Sequence, residues 1–252
     1  MTEAKNPIKS TETTFRVLEA LSTQRSPTVT ALAEDLDLSK GTIHNHLSTL
    51  RGLGYLTKRG NEYHLGVRFS RLGTIGSERF EVYQTGTTII DNLAQTTGEC
   101  ANIVVREETR GTYLHTSVGE HTPRVTIRPG DPADLLRSAG GKAILAHASK
   151  KDVSAVHTQE SDGSTNVSLE DRQEELREIR QRSLSFSRGE HEPDRYGVGA
   201  PIKTPDGAVR CAVAIVGPEE RLSGKVLQQD LAGLVSSAAK DIEREMIASK
   251  GD

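Results

Sequence analysis

The sequence predicts an α+β protein in two parts: a small helical head closed by a β-hairpin, and a larger body built on an antiparallel sheet flanked by helices. Three observations carry this. Between residues 15 and 53 apolar side chains recur at three- and four-residue spacing, the period of helices that bury one face. From Ala101 onward the period shortens, and Arg124-Val125-Thr126-Ile127-Arg128 alternates polar and apolar as a half-buried strand does. Charge divides the same way. Residues 1–68 hold nine Lys+Arg against seven Asp+Glu, and the rest hold 23 against 28. A mildly basic head on an acidic body suits a head that meets nucleic acid and a body that stays off it.

The head is the most informative stretch. Residues 1–9 read as an unstructured start. A first helix runs from Ser10 or Thr11 to about Gln24, with Phe15, Leu18 and Leu21 on one face. Arg25-Ser26-Pro27 is a loop, and Thr28 can cap the next helix while touching a phosphate. That helix, Val29 to Leu36, packs by Leu32, Ala33 and Leu36, and Asp37-Leu38 turns the chain. Ser39 caps a third helix whose stripe is Ile43, Leu47, Leu50 and Leu53. Its other face carries Gly41, Asn45, Ser48 and Thr49, flanked by Thr42 and His44, with Lys40 at the amino end. Short polar groups and a glycine are what a helix needs to approach base edges in a major groove. Tyr55-Leu56-Thr57 and Glu62-Tyr63-His64-Leu65 form a hairpin whose tip holds Lys58 and Arg59, two cations for a phosphate backbone. The competing reading is a helical hairpin that serves packing alone.

Composition bounds the function. No apolar run is long enough to span a membrane, and the amino-terminal segment MTEAKNPIKS lacks a signal peptide's apolar core, so a cytoplasmic protein with no membrane partner is expected. Cys100 and Cys211 sit in apolar, strand-like contexts and read as buried thiols. There is no Trp, which argues against stacking of single-stranded bases. No histidine stands at ligand spacing, so no cofactor or metal is expected.

After the head, a connecting helix over residues 69–84 shows Leu72, Ile75, Arg79 and Tyr83 on one line, and the body spans 85–252. A helix from about Ile89 to Thr96 ends at Gly98. Strands follow at Ala101–Val105 and Thr112–Thr116, joined across Thr109-Arg110-Gly111, and then at 124–128. Gly141 opens a buried helix. Ser161 to Thr165 is a polar loop, Leu169 to Arg182 a charged surface helix, and strands lie at Leu184–Ser187, Tyr196–Lys203 and Ala208–Val216. Leu227, Leu231, Leu234, Ala238 and Ile242 mark a last amphipathic helix. Ser138-Ala139-Gly140-Gly141 lies where a loop enters a helix, and backbone N–H groups there could hold an anion. The competing reading is that the glycines only allow tight packing of helix on sheet.

These residues resemble the IclR family of transcription regulators. LSKGTIHNHLSTLRGLGYL in the head is similar to the family's Leu-(Ser/Pro)-Lys-Ser-Thr-(Val/Ile)-His-Arg-Leu-Leu pattern. The body is similar at SAGGKAILA (138–146), GEHEPDRYGVGAPI (189–202) and PDGAVRCAVAIVGP (205–218), so the resemblance covers nearly the whole chain. It implies a winged helix-turn-helix domain joined by a linker helix to a GAF-like effector-binding domain. It also implies a homodimer or tetramer on double-stranded operator DNA, with a small effector, often a carboxylate, in each body. By motif position the pocket would comprise Val125, Ile127, Leu135, Ser138, Ala139, Gly140, Gly141, Ser187, Gly197, Ala214 and Val216. Many members have a cysteine where this chain has Gly197, and serines near Ala214 and Val216, which points to a ligand larger or less polar than the smallest keto acids. Arg128, Arg137 and Arg195 are further candidates for an anion, and His191 and Glu192 lie in the family-like turn. Against this stand an enzyme with a DNA-binding appendage, using a cysteine or histidine, and a constitutive DNA-binding protein without an effector. No Ser/His/Asp, Cys/His or paired-carboxylate pattern supports the enzyme.

Overall fold

The structure is a computed structural model that describes residues 5–24, 27–122, 127–160 and 167–249. The chain divides after Gly76 into two compact units.

In the head, α1 (Lys9–Thr23), α2 (Val29–Leu36) and α3 (Lys40–Gly52) precede a hairpin of β1 (Leu56–Arg59) and β2 (Glu62–Leu65). Val17, Leu21, Leu32, Ile43, Leu47, Leu50, Leu56 and Tyr63 form its core. Burial of each aliphatic side chain contributes about 1.5–3 kcal/mol. Thr28 and Ser39 act as N-caps, accepting from Ala31 N–H and Thr42 N–H. Asp37 ends α2 in the left-handed region at φ 52°, a conformation that a short polar side chain tolerates. The hairpin closes in two residues, Gly60-Asn61, between Arg59 and Glu62, and Gly60 takes φ 59° there. Two expected core positions fail. Phe15 is 60% and Leu53 55% exposed; the buried line of α1 runs through Thr13, Val17, Ala20 and Leu21, and α3 stops before Leu53.

The connecting helix is two helices. α4 (Arg68–Glu78) buries none of its residues, and after Arg79-Phe80 α5 (Glu81–Thr97) begins, so Tyr83 is not on the helix of Leu72 and Ile75. α5 therefore starts well before Ile89 and ends, as the glycine requires, with Gly98 at φ 70°.

Among the described residues the body is built on a six-stranded antiparallel sheet in the order β5-β4-β3-β8-β7-β6. Its strands are β3 (Cys100–Glu107), β4 (Arg110–Ser117), β5 (Pro132–Ala133), β6 (Ser185–Arg188), β7 (Arg195–Lys203) and β8 (Val209–Pro218). The β3–β4 turn is Glu108-Thr109, one residue earlier than expected, with Glu108 at φ 54°. One face presents Ile103, Val105, Val198, Val213 and Ile215 to α5 and to the last helix, α9 (Ala232–Ala248), which a π-helical turn over Val226–Leu231 precedes. On the other face Val104, Tyr113 and Ala212 meet Ala143 and Ile144 of α6 (Ala139–Leu145). Outside α6 lie α7 (Lys150–Glu160), which the sequence reading lacked, and α8 (Leu169–Arg182), which it placed. Leu145, Val153, Val156, Leu176 and Ile179 bind these three helices into a second layer. Of the strand expected at 124–128, residues 124–126 lie outside the described residues, and Ile127 and Arg128 are not in a strand. The polar loop at 161–165 also lies outside them.

Candidate functional site

In the head, the α3 stripe that faces the core leaves the opposite face open. Gly41, His44, Asn45, Ser48 and Thr49 are exposed, as are Ser39 and Lys40 at the amino end, and Thr42 is half-buried. Several hydroxyls already have partners. Ser39 Oγ caps the helix and meets Thr42 Oγ1 at 2.9 Å, and Thr49 Oγ1 donates to Asn45 O at 2.8 Å. The side chains without such local bonds are Lys40, His44, Asn45 and Ser48. Thr28 caps α2 and bridges to Glu62 of the hairpin. At the hairpin, Lys58 lies 5.2 Å from the centre of the Tyr63 ring, and exposed Arg59 stands opposite Glu62.

In the body, Ile127, Ser138, Ala139, Gly140, Ser187, Gly197, Ala214 and Val216 line one narrow cavity, open to solvent on one side, with an enclosed volume of about 30 Å³. Enclosed room of this order holds about one water, so an organic ligand would have to widen the cavity from its open side. Two expected members are not on its wall. Leu135 is wholly buried in the α6–α8 layer. Gly141 packs on backbone, since a Cβ there would stand 2.3 Å from Asp134 O. Val125 lies outside the described residues. Sequence reasoning missed Asn102, Val104, Tyr113 and Ile215, which complete the wall, and it weighed His191, Glu192 and Arg195 only as neighbours. Arg128 and Arg137 do not line it; Arg137 Nε is held by Asp134 at 2.5 Å.

The amino end of α6 is built differently from a bare anion cradle. Ser138 Oγ accepts from Gly141 N–H at 3.1 Å and donates to Asp134 O at 2.5 Å. Of the amides expected to hold an anion, those of Ser138 and Gly141 are therefore already spent, on Asp134 O and Ser138 Oγ, and α6 has only seven residues. The glycines serve packing. A Cβ on Gly140 would lie 2.7 Å from Val104 Cγ2, and one on Gly199 would lie 2.7 Å from Ala139 backbone. Their absence lets α6 sit directly on β3, β7 and β8.

The rim is charged. Arg195 Nε pairs with Glu192 at 2.5 Å, and His191 Nδ1 lies 3.8 Å from Asp134. Among the described residues no cluster of three or more His, Cys, Asp or Glu could hold a metal. Burial pushes the Tyr113 phenol above its ordinary pKa, so this wall residue stays protonated. Behind the wall, Lys142 is fully buried, with Nζ 2.8 Å from Glu175 and 2.6 Å from Glu190. Arg172, also buried, pairs with Glu175. Lys142 thereby ties α6 to α8 and to the 189–194 loop that carries His191 and Glu192. Burial pushes both thiols, Cys100 and Cys211, up to about 12. Such thiols stay protonated and make poor nucleophiles, which lends the competing cysteine-enzyme reading no support.

Comparison with known proteins agrees with this layout. The family model for the C-terminal part of the bacterial transcriptional regulator IclR matches residues 77–244, and the IclR helix-turn-helix domain matches residues 10–60. The probable HTH-type transcriptional regulator ArcR of Halobacterium salinarum is 29% identical over 94% of this chain and 93% of its own length. The crystal structure of the Thermotoga maritima IclR superposes with a TM-score of 0.78 at 20% identity, over 94% of this chain and 98% of that one. An IclR homologue from Microbacterium hydrocarbonoxydans, crystallised with 4-hydroxybenzoate, superposes with a TM-score of 0.78 at 21% identity, over 95% and 99%. At these identities the structures speak to the fold, and the family matches to the class. The chain belongs to the IclR family of transcriptional regulators, with a helix-turn-helix DNA-binding head and a C-terminal effector-binding domain.

Proposed function

We propose that this regulator reads a two-fold operator in double-stranded DNA with the exposed face of α3, and that a small organic acid in the body cavity changes its operator affinity. The observation that carries the effector reading is the cavity itself, apolar where Val104, Ile127, Ala214 and Val216 line it and cationic at Arg195 on its rim. Glu192 takes the Nε edge of that guanidinium, and a ligand carboxylate would take the terminal edge, a geometry that the planar fork favours. This replaces the backbone amides of α6 as the anion's partner. The 4-hydroxybenzoate bound by the Microbacterium homologue is an acid of suitable kind, and the loss of polar groups at Gly197, Ala214 and Val216 fits an acid with an apolar body.

On the DNA, Lys40, His44, Asn45 and Ser48 would face base edges and phosphates. Thr42 and Thr49 would contribute their methyl groups, and Ser39 and Gly41 would set the close approach. Thr28, Lys58 and Arg59 would contact the backbone. A pair of heads is needed for a two-fold site, and α4 exposes Leu72 and Ile75 on a helix that buries nothing, so a homodimer covers them. Half-sites would lie about 10–10.5 base pairs, or a multiple, apart. Among the described residues no helix is long and apolar enough to cross a membrane.

Equilibrium binding to operator and scrambled DNA at several salt concentrations tests this reading, with hydroxybenzoates as first probes. Sequence preference that an acid shifts by about 5- to 150-fold is the expected result. Binding that ignores sequence, or that no acid alters, would remove it.

A further inference from the structure

Asn102 is out of place on the cavity wall. It is 2% exposed, it lines the cavity, and its Oδ1 has no hydrogen-bond partner. Its neighbours on the same face are Cys100, which hydrogen-bonds its side chain, and Val104 along β3, and Ala214 directly opposite on β8. On its other side it stands opposite Thr116 of β4, whose Oγ1 is likewise buried without a partner. A buried polar group that bonds nothing costs free energy, and the large majority of such groups in folded proteins have a partner. Two orphaned oxygens on adjacent strands, one of them on a residue of the cavity wall, mark a place where a partner is supplied from outside. Arg195 and His191, 24% and 38% exposed, stand at the rim, whereas Asn102 lies deep.

We infer that Asn102 is the specificity-determining residue of the cavity: its side-chain oxygen accepts a hydrogen bond from a hydroxyl or N–H on the buried end of the ligand. This rests on the acid-sensing reading above and narrows it. The ligand class becomes an acid that carries a donor group away from its carboxylate. An acid without the donor leaves Oδ1 dry and unpaired, and a site built around a polar group discriminates against the analogue that lacks its partner.

The test is a matched panel, benzoate against 3- and 4-hydroxybenzoate and propanoate against 3-hydroxypropanoate, titrated by calorimetry into the full-length protein and into Asn102→Leu. The parent should bind at least one hydroxylated acid on the order of tenfold tighter than its partner, and Asn102→Leu should abolish that preference while still binding the plain acid. Without ligand, Asn102→Leu should show a urea midpoint equal to or above the parent's, because an apolar side chain of similar size replaces an amide whose oxygen is buried without a partner. The inference alone is overturned if acids bind but the hydroxyl earns nothing in the parent, or if the preference survives in Asn102→Leu. A lower urea midpoint also overturns it, since the amide is then a structural element. If no acid in the panel binds the parent at millimolar concentration, the acid-sensing reading falls and takes this inference with it.

Discussion

α3 and α6 start alike and end in opposite roles. Each opens with a serine whose hydroxyl accepts the third amide of its helix, Ser39 from Thr42 and Ser138 from Gly141. Each has a lysine and glycine in its first turns. On α3 both are exposed, and a Cβ on Gly41 would meet only Ser39 Oγ at 3.8 Å. On α6 all seven residues are buried, including Lys142. The local pattern sets where a helix begins. What its lysine and glycine do depends on whether the helix has a free face. An exposed face offers its groups to a macromolecule; a buried helix spends them on its own protein.

The largest expected effect compares the two lysines. Lys142→Ala removes an ammonium between two carboxylates and leaves a void, so the body should lose about 3 kcal/mol in urea unfolding, less than a fully buried pair because Glu175 and Glu190 are about a third exposed. Lys40→Ala should change stability by no more than about 0.5 kcal/mol and lower the salt slope of DNA binding by about one unit. Equal stability losses in the two variants would break the comparison.

The glycines sharpen it. Gly140→Ala should cost about 1–3 kcal/mol, because its Cβ meets Val104 Cγ2. Gly41→Ala should raise thermal stability by up to about 0.5–1 kcal/mol through helix propensity, and it should weaken operator binding. A gain at Gly140 or a loss at Gly41 would place the close approach on the wrong helix. On the α3 face itself, Asn45→Ala should cost about 1–3 kcal/mol of discrimination between operator and scrambled DNA, measured by anisotropy; unchanged preference would put another face in the groove. The caps give the smallest difference. Ser39→Ala should cost about 1 kcal/mol, and Ser138→Ala somewhat more, because it also loses the bond to Asp134 O. The order of the two urea midpoints decides this.

The same contrast explains what the sequence made legible. α3, the hairpin and α8 each have one wet face, so period and caps place them to within a residue or two. α7 has only Val153 and Val156 buried near its middle, too sparse a stripe to read in KKDVSAVHTQE. The break at Phe80 is hidden because Leu72 and Ile75 on one helix and Tyr83 on the next keep a helical spacing across it. In the cavity, residues on the quoted motifs of α6, β7 and β8 came together with Ser187 of β6, while Asn102, Val104 and Tyr113 on β3 and β4 did not stand out. Strand alternation puts Asn102 and Val104 on one face, but only the packing of α6 makes that face the wall of a cavity. Lys142 does not stand out either; its partners lie 33 and 48 residues away, and no local pattern announces them.

The central claim is that operator binding in the head answers to occupancy of the body cavity. Val216→Phe tests it most directly, because Val216 is a half-exposed wall residue and a larger ring can fill the cavity from its open side. Operator affinity would be measured by anisotropy for parent and variant, with and without the tightest-binding hydroxybenzoate. The account predicts equal affinities without acid, a shift of at least about fivefold in the parent, and no shift in Val216→Phe. A variant that still shifts as the parent does would contradict it and move the effector site away from this cavity.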